Sequence, residues 1–132
     1  MFIISFFMSK LEAIIKQFES AVDRLEEVLQ KPKDAIVRDS AIQRFEFSLD
    51  LAWKSVKAFL EDQKGISCNS PKDCFREAYR QKLIKYDDIW IKYVDLRNDT
   101  VHTYKEEIAE AVYSELPNVL KHLKELLQAF NR

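Results

Sequence analysis

The stretch that decides the fold is QRFEFSLDLAWKSVKAFLE, residues 43–61. Its apolar side chains recur in alternating steps of four and three residues, at Phe45, Leu49, Ala52, Val56 and Phe59. This spacing puts them on one stripe of an α-helix and does not fit the two-residue alternation of a β-strand. The pattern therefore predicts a long amphipathic helix that buries this stripe against other helices.

The flanking sequence predicts where this helix begins and ends. It should run from about Asp34 to Lys64 and stop at Gly65, the only glycine in the chain. A first helix should begin after Ser9, which forms a capping box with Glu12, and should end near residues 31–32. The short connection between the two helices predicts that they pack antiparallel.

Three further helical segments follow. Ser70 and Pro71 are a typical start for a shorter third helix, and a fourth helix should begin near Asp87. A final segment should span residues 104–130, with a kink or break at Pro117. We expect an all-α fold, an up-down bundle of four main helices plus shorter ones. Residues 1–132 should form one domain, with residues 1–8 as an apolar extension.

Composition excludes several classes of protein. The 132 residues are 47% hydrophobic and 33% charged, which is typical of a soluble globular protein. A net charge of −1 argues against a generic polyanion-binding protein, so any nucleic-acid contact needs a local patch or an oligomer. Eight apolar residues at the N-terminus are too few to span a membrane. Cys68 and Cys74 lack metal-ligand spacing and are expected to be reduced thiols of a cytoplasmic protein.

The candidate reactive stretch is LRNDTVHTYKEE, residues 96–107. Histidine can donate or accept a proton near neutral pH, and arginine can hold two phosphate oxygens. On a continuous helix, Arg97 and His102 would point about 140° apart. Thr103 and Glu106 form a second potential capping box, which predicts a break at residues 101–103 that turns His102 toward Arg97. The alternative is a structural helix junction, in which Tyr104 simply packs at a helix start.

Cleavage of RNA without a metal needs a base, an acid and a cation. One histidine cannot easily serve as both base and acid, but a two-fold dimer with these junctions facing each other would supply two copies of Arg97 and His102. The sequence predicts no metal or cofactor, because it lacks zinc-ligand spacing and a glycine-rich phosphate loop.

Three further cations recur every four residues at Lys72, Arg76 and Arg80, and so share one helix face. They are possible contacts for RNA phosphates. The alternative is a solvated face balanced by Asp73 and Glu77.

The motif RNDTVHTY, residues 97–104, resembles the signature of HEPN domains: an arginine, a polar residue, and a histidine after a fixed gap. Its extension to a tyrosine resembles the toxins of the HepT type, which are the HEPN partners of minimal nucleotidyltransferase (MNT) antitoxins. The stretch at residues 43–61 is similar to the second helix of that subfamily, and the resemblance covers the chain from Ser9 onward.

This resemblance implies a metal-independent ribonuclease toxin that acts as a homodimer on RNA, with tRNA as the first candidate. Arg97 and His102 would be the catalytic pair, and Asn98 would shape the site. Tyr104 would be the residue that the partner nucleotidyltransferase modifies with AMP to silence the toxin. The alternatives are a non-catalytic substrate- or nucleotide-binding subunit of a nucleotidyltransferase, and a purely structural helical adaptor.

Overall fold

The computed structural model describes residues 8–102 and 105–132. The expected extension at residues 1–7 and the predicted roles of Thr103 and Tyr104 lie outside these ranges. The described residues form five helices: α1 (Lys10–Leu29), α2 (Ala35–Phe59), α3 (Pro71–Arg80), α4 (Asp88–His102) and α5 (Glu106–Phe130). A short π-helical turn, Leu60–Lys64, continues α2. In the described part of the chain, no helix is long and apolar enough to cross a membrane.

The predicted helix ends are confirmed at three N-termini. Ser9 and Glu12 form the capping box at the start of α1, with reciprocal hydrogen bonds of 3.0 and 3.2 Å. Asp34 caps α2 and Ser70 caps α3 through their side-chain oxygens. At the end of α2, Gly65 has a φ of 66°, which is favourable only for glycine and terminates the helix.

Four long helices pack as an up-down bundle, as predicted. Arg44 of α2 donates a hydrogen bond of 2.8 Å to the Arg24 carbonyl of α1, across the antiparallel pair. The ring of Phe130, at the end of α5, lies 5.5 Å from that of Phe59 at the end of α2. The α2 stripe is buried between these helices: Phe45, Leu49, Ala52 and Val56 are almost inaccessible to solvent.

The helix ends differ from the prediction at two places. The helix α5 runs without a break through Pro117, because Leu116 and Val119 on either side of the proline are both buried in the core. Their packing outweighs the cost of about 3 kcal/mol for an internal proline. In addition, α4 continues to His102 and the N-cap of α5 is Lys105, which makes no side-chain capping bond, while the expected cap at Thr103 lies outside the described residues.

The expectation of reduced cysteines is contradicted as well. Cys68 and Cys74 form a disulfide, with their Cα atoms 5.1 Å apart. Cys74 lies in the first turns of α3 and Cys68 just before the cap of that helix, so the chain folds back to bring the two sulfurs together. Lys57 of α2 donates a hydrogen bond of 2.7 Å to the Cys68 carbonyl and holds this loop against the bundle.

The role of the α2 stripe can be tested with two phenylalanines of the segment at residues 43–61. Phe45 is fully buried, whereas Phe47 is 58% exposed. We expect Phe45→Ala to lower the free energy of unfolding by about 3–5 kcal/mol, because it leaves a cavity in the core. Phe47→Ala is the matched control and should change it by less than about 0.5 kcal/mol. Urea denaturation followed by circular dichroism measures both, and equal effects would contradict the assignment of the core face.

Candidate functional site

The candidate site lies at the C-terminal end of α4. The core-facing side of this helix carries Trp90, Tyr93 and Val94, all of which are buried. Arg97 follows seven, four and three residues after them, so it continues the same face toward the end of the bundle. Arg97 is therefore a charged residue at a position where the helix pattern would place an apolar one.

Within the described ranges, the guanidinium of Arg97 lacks a compensating charge. Its Nε atom is buried and has no hydrogen-bond partner among the described residues. No carboxylate within the described ranges forms an ion pair with it, although eight other Lys and Arg side chains there do form ion pairs. Burying a donor without a partner is unfavourable, so this arrangement is best suited to a site that binds an anion.

His102 lies in the last turn of α4 and is exposed. Because the helix is continuous from Arg97 to His102, their side chains leave it about 140° apart and about 7.5 Å apart along the axis. The predicted break that would turn His102 toward Arg97 is therefore wrong. Within one chain, the two side chains lie on different faces of the same helix.

The end of α4 is fixed to α2 by a polar contact. The Thr100 hydroxyl donates to the Glu46 carboxylate at 2.6 Å and lies 2.8 Å from the Arg97 carbonyl. Thr100 and Glu46 also line a cavity of about 290 Å³ between α2 and the start of α5. Asn98 is half-buried in the same turn of α4. Glu46, which lies outside the motif, thus holds in place the backbone that carries Arg97.

Sequence reasoning missed the arginine that anchors the start of α5. The side chain of Arg38, in the first turns of α2, is only 5% exposed. Its Nη1 atom lies 2.6 Å from Glu106 and 3.3 Å from Glu110, and a further ion pair links it to Asp39. Lys33 and, to a smaller extent, Arg38 hold the pKa of Glu110 below its usual range. The only sequence signal was Glu106 and Glu110 at helical spacing, which does not reveal a partner about 70 residues away.

Tyr104 lies outside the described residues, but the structure defines the residues on both sides of it. The helix α4 ends at His102, and α5 begins at Glu106, which forms an ion pair with Arg38. The segment that carries Tyr104 therefore joins the end of the motif helix to an anchored helix start.

The three cations of α3 differ in their surroundings. Lys72 pairs with Asp95 of α4 at 2.7 Å, and Arg80 pairs with Glu77 at 2.7 Å. Arg76 has no ion pair with a described residue. Two of the three charges are thus neutralised by carboxylates. The pairing of Arg80 with Glu77 agrees with the alternative interpretation, in which this face is solvated and its charges are balanced.

The part of the chain that the structure describes holds no group of three or more histidine, cysteine, aspartate or glutamate side chains placed to bind a metal ion. Its two cysteines are paired with each other.

Comparison with known proteins identifies the family. Residues 11–132 match the family model of nucleotidyltransferase substrate-binding-protein-like chains. A protein of Haemophilus influenzae named probable ribonuclease HepT is 38% identical over 102 residues, which cover 71% of this chain and 70% of that protein.

Two solved structures share the fold. A protein of Thermus thermophilus superposes with a TM-score of 0.82 at 32% identity, covering 87% of this chain and 99% of its own. The tri-AMPylated HEPN toxin of Shewanella oneidensis, solved in complex with its MNT antitoxin, superposes with a TM-score of 0.77 at 20% identity, covering 94% and 98%. The resemblance first seen in the motif RNDTVHTY thus extends over the whole bundle. The chain belongs to the nucleotidyltransferase substrate-binding-protein-like family and is a HEPN-domain protein of the HepT-like subfamily.

Proposed function

We propose that this chain is the endoribonuclease toxin of a two-gene HEPN/MNT toxin–antitoxin system. It cleaves RNA in the cytoplasm without a metal ion, and tRNA is the first substrate to examine. The MNT-type nucleotidyltransferase is its antitoxin. Residues 1–132 act as one HEPN domain with residues 1–8 as an N-terminal extension, and this domain works as a homodimer.

The observation that carries this proposal is the uncompensated charge of Arg97. Its Nε atom is buried on the core-facing side of α4 and has no partner among the residues that the structure describes, while Arg38 in the same bundle is surrounded by carboxylates. An RNA phosphate would supply the missing negative charge and accept the free donors in a bidentate manner. Because the site is partly shielded from water, that interaction is stronger than at an exposed arginine.

The divergence of Arg97 and His102 on a continuous helix supports a dimeric site. One chain cannot readily direct both side chains at one phosphate, but a second copy related by a two-fold axis can supply His102 opposite Arg97. Dimerisation also doubles the local positive charge of a chain whose net charge is −1.

In the proposed reaction, His102 of one copy removes the proton from a ribose 2′-hydroxyl. The 2′-oxygen attacks the adjacent phosphorus, and the bond from phosphorus to the 5′-oxygen breaks. His102 of the other copy donates a proton to that leaving oxygen. Arg97 stabilises the additional negative charge of the pentacoordinate phosphorane, and Asn98 shapes the site around it. The products are a 2′,3′-cyclic phosphate and a free 5′-hydroxyl.

We propose that AMP on the Tyr104 hydroxyl silences this reaction. Tyr104 follows His102 by two residues in the sequence, so a group attached there lies close to the proposed catalytic histidine. The adenylyl group adds bulk and a negatively charged phosphate, which occupies space and competes with RNA for Arg97.

The α3 cations take a smaller part in this proposal. Arg76 is the best placed to contact an RNA phosphate, since Lys72 and Arg80 would first have to leave Asp95 and Glu77. Exposed ion pairs of this kind are weak, at about 0–1 kcal/mol, so exchange for a phosphate is feasible.

A second candidate function is a non-catalytic subunit that presents a substrate or nucleotide to a nucleotidyltransferase. The description of the matching family model favours it, and an uncompensated Arg97 would bind a phosphate group equally well without cleavage. The two functions differ in whether the bound phosphodiester is broken.

The test of the nuclease is cleavage by purified, unmodified protein in EDTA. We expect wild-type protein to cleave RNA and His102→Ala to lose about 10²–10⁴-fold in rate, because proton transfer is removed. Mass spectrometry should first confirm that Tyr104 carries no AMP. As a control, Arg44→Met removes a half-buried arginine that faces α1, where it donates to the Arg24 carbonyl, and should leave cleavage unchanged. Binding of RNA that stays intact with the wild-type protein would contradict the nuclease and favour the binding subunit.

The regulatory step is tested with the purified MNT-type partner and ATP. We expect modification to abolish cleavage by the wild-type protein, whereas Tyr104→Phe should remain active because it has no hydroxyl to accept AMP. Tyr79→Phe, at an exposed tyrosine of α3, is the control and should still be silenced. Silencing of the Tyr104→Phe variant together with incorporation of AMP elsewhere would show that another residue is the regulatory acceptor.

A further inference from the structure

A second cavity lies toward the opposite end of the bundle. It has a volume of about 570 Å³ and is enclosed by the turn at residues 82–86, the first residues of α4 and the C-terminal part of α5. Of the α5 residues that line the cavity, Lys121 comes first in the sequence, and it lies about 22 Å along the helix from Glu106, where α5 begins. None of the residues in the proposed cleavage site lines this cavity.

The rim of the cavity is basic. It carries Lys82, Lys85, Lys121 and Arg132, all exposed, against the single side-chain carboxylate of Glu125. None of the three lysines has an ion pair with a residue in the described ranges. Some exposed lysines elsewhere are neutralised by a carboxylate, as with Lys92, which pairs with Glu115 at 3.3 Å. This rim is therefore a local positive patch on a chain of net charge −1.

Lys82 is held in an unfavourable backbone conformation. Its φ is 63°, and it alone among the described non-glycine residues has a positive φ. The hydrogen bonds of this turn, 2.9 Å from Leu83 N–H to the Ala78 carbonyl and 3.0 Å from Lys82 N–H to the Tyr79 carbonyl, form a Schellman motif that ends α3. Glycine is the preferred residue at this position, so the lysine side chain is present at a cost in stability.

The cavity also offers an exposed aromatic ring. Tyr86 is 64% exposed and is the last residue of the turn at residues 82–86, just before α4. A phenol ring in this position can stack on a planar base.

The inner wall is rigid. Trp90 is 3% exposed and stacks on Phe75, with ring centroids 4.8 Å apart. The His122 Nδ1 atom lies 2.8 Å from both the Tyr93 hydroxyl and the Asn118 carbonyl, so the imidazole is fixed in orientation. Burial, with smaller contributions from the carboxylates of α5, raises the pKa of Tyr93 to about 12, and its hydroxyl therefore keeps its proton near neutral pH.

We propose that this cavity binds a nucleotide of a single-stranded RNA, with the three lysines holding its phosphates and Tyr86 stacking on its base. A positive groove combined with an aromatic platform is the general arrangement for binding single strands without base readout. The inference deepens the proposed ribonuclease function, since it gives the enzyme an anchor for RNA at a distance from Arg97 and His102.

The test measures binding of a fluorescent single-stranded RNA by anisotropy, with all variants built on His102→Ala so that the RNA stays intact. We expect Lys82→Gly to weaken binding roughly five- to tenfold. It should also lower the slope of log K against log salt by about 0.7, because one lysine no longer neutralises a phosphate. Tyr86→Leu should weaken binding by about 5- to 150-fold, because the base can no longer stack on a ring. Lys54→Gln, at an exposed lysine paired with Asp50 on α2, is the matched control and should bind as the parent does.

Lys82→Gly also separates binding from folding. Because glycine suits the positive φ of this turn, its urea midpoint should be equal to or higher than that of the parent. Unchanged RNA binding in Lys82→Gly and Tyr86→Leu would overturn the proposal. Displacement of the RNA by AMP at a similar concentration would also overturn it, because the site would then serve free nucleotides. Cleavage by protein that retains His102 is measured separately, so binding at this cavity without cleavage would count against the nuclease alone.

Discussion

Burial of the α2 stripe is the constraint on which the rest of the structure depends. Phe45, Leu49, Ala52 and Val56 lie between the other long helices, so α2 sets the position of its neighbours. Its polar side chains then act on the candidate site. Glu46 accepts a hydrogen bond from Thr100 at the end of α4, and Arg38 anchors the start of α5. The two helix ends that flank residues 103–104 are thus both fixed by the same central helix.

Arg38 and Arg97 show how the same residue type serves different purposes in one bundle. Arg38 is surrounded by Asp39, Glu106 and Glu110, so its charge is neutralised within the protein and its role is to join helices. Arg97 has a buried donor and no such partners among the described residues. A structural arginine of this kind would be poorly accommodated, and an arginine that awaits a phosphate would be well suited.

Much of the fold could be predicted because its signals are local. The caps at Ser9, Asp34 and Ser70, the stop at Gly65 and the helical spacing of the core residues all act within a few positions. What could not be predicted depends on tertiary contacts. The continuity of α5 through Pro117 reflects core packing on both sides of the proline, and the disulfide of Cys68 and Cys74 reflects the path of a loop.

The roles of the candidate site residues stay a prediction, and their arrangement differs from the expected one. The motif identified Arg97 and His102, yet a capping pattern at residues 103–106 suggested a helix break before His102 that does not exist. The continuous helix separates the two side chains, so the proposed reaction requires a second copy of the chain to bring them together. The Arg38 anchor escaped notice because its partners are distant in sequence.

We propose that Arg97 is retained for a phosphate and not for the fold. Arg97→Met keeps the length and packing of the side chain but removes the charge, and its urea midpoint and RNA cleavage in EDTA should be compared with those of the wild-type protein. We predict that the free energy of unfolding rises by about 1 kcal/mol, because a buried donor without a partner is removed, while cleavage is lost. A variant that is destabilised, or one that still cleaves RNA at the wild-type rate, would contradict the claim.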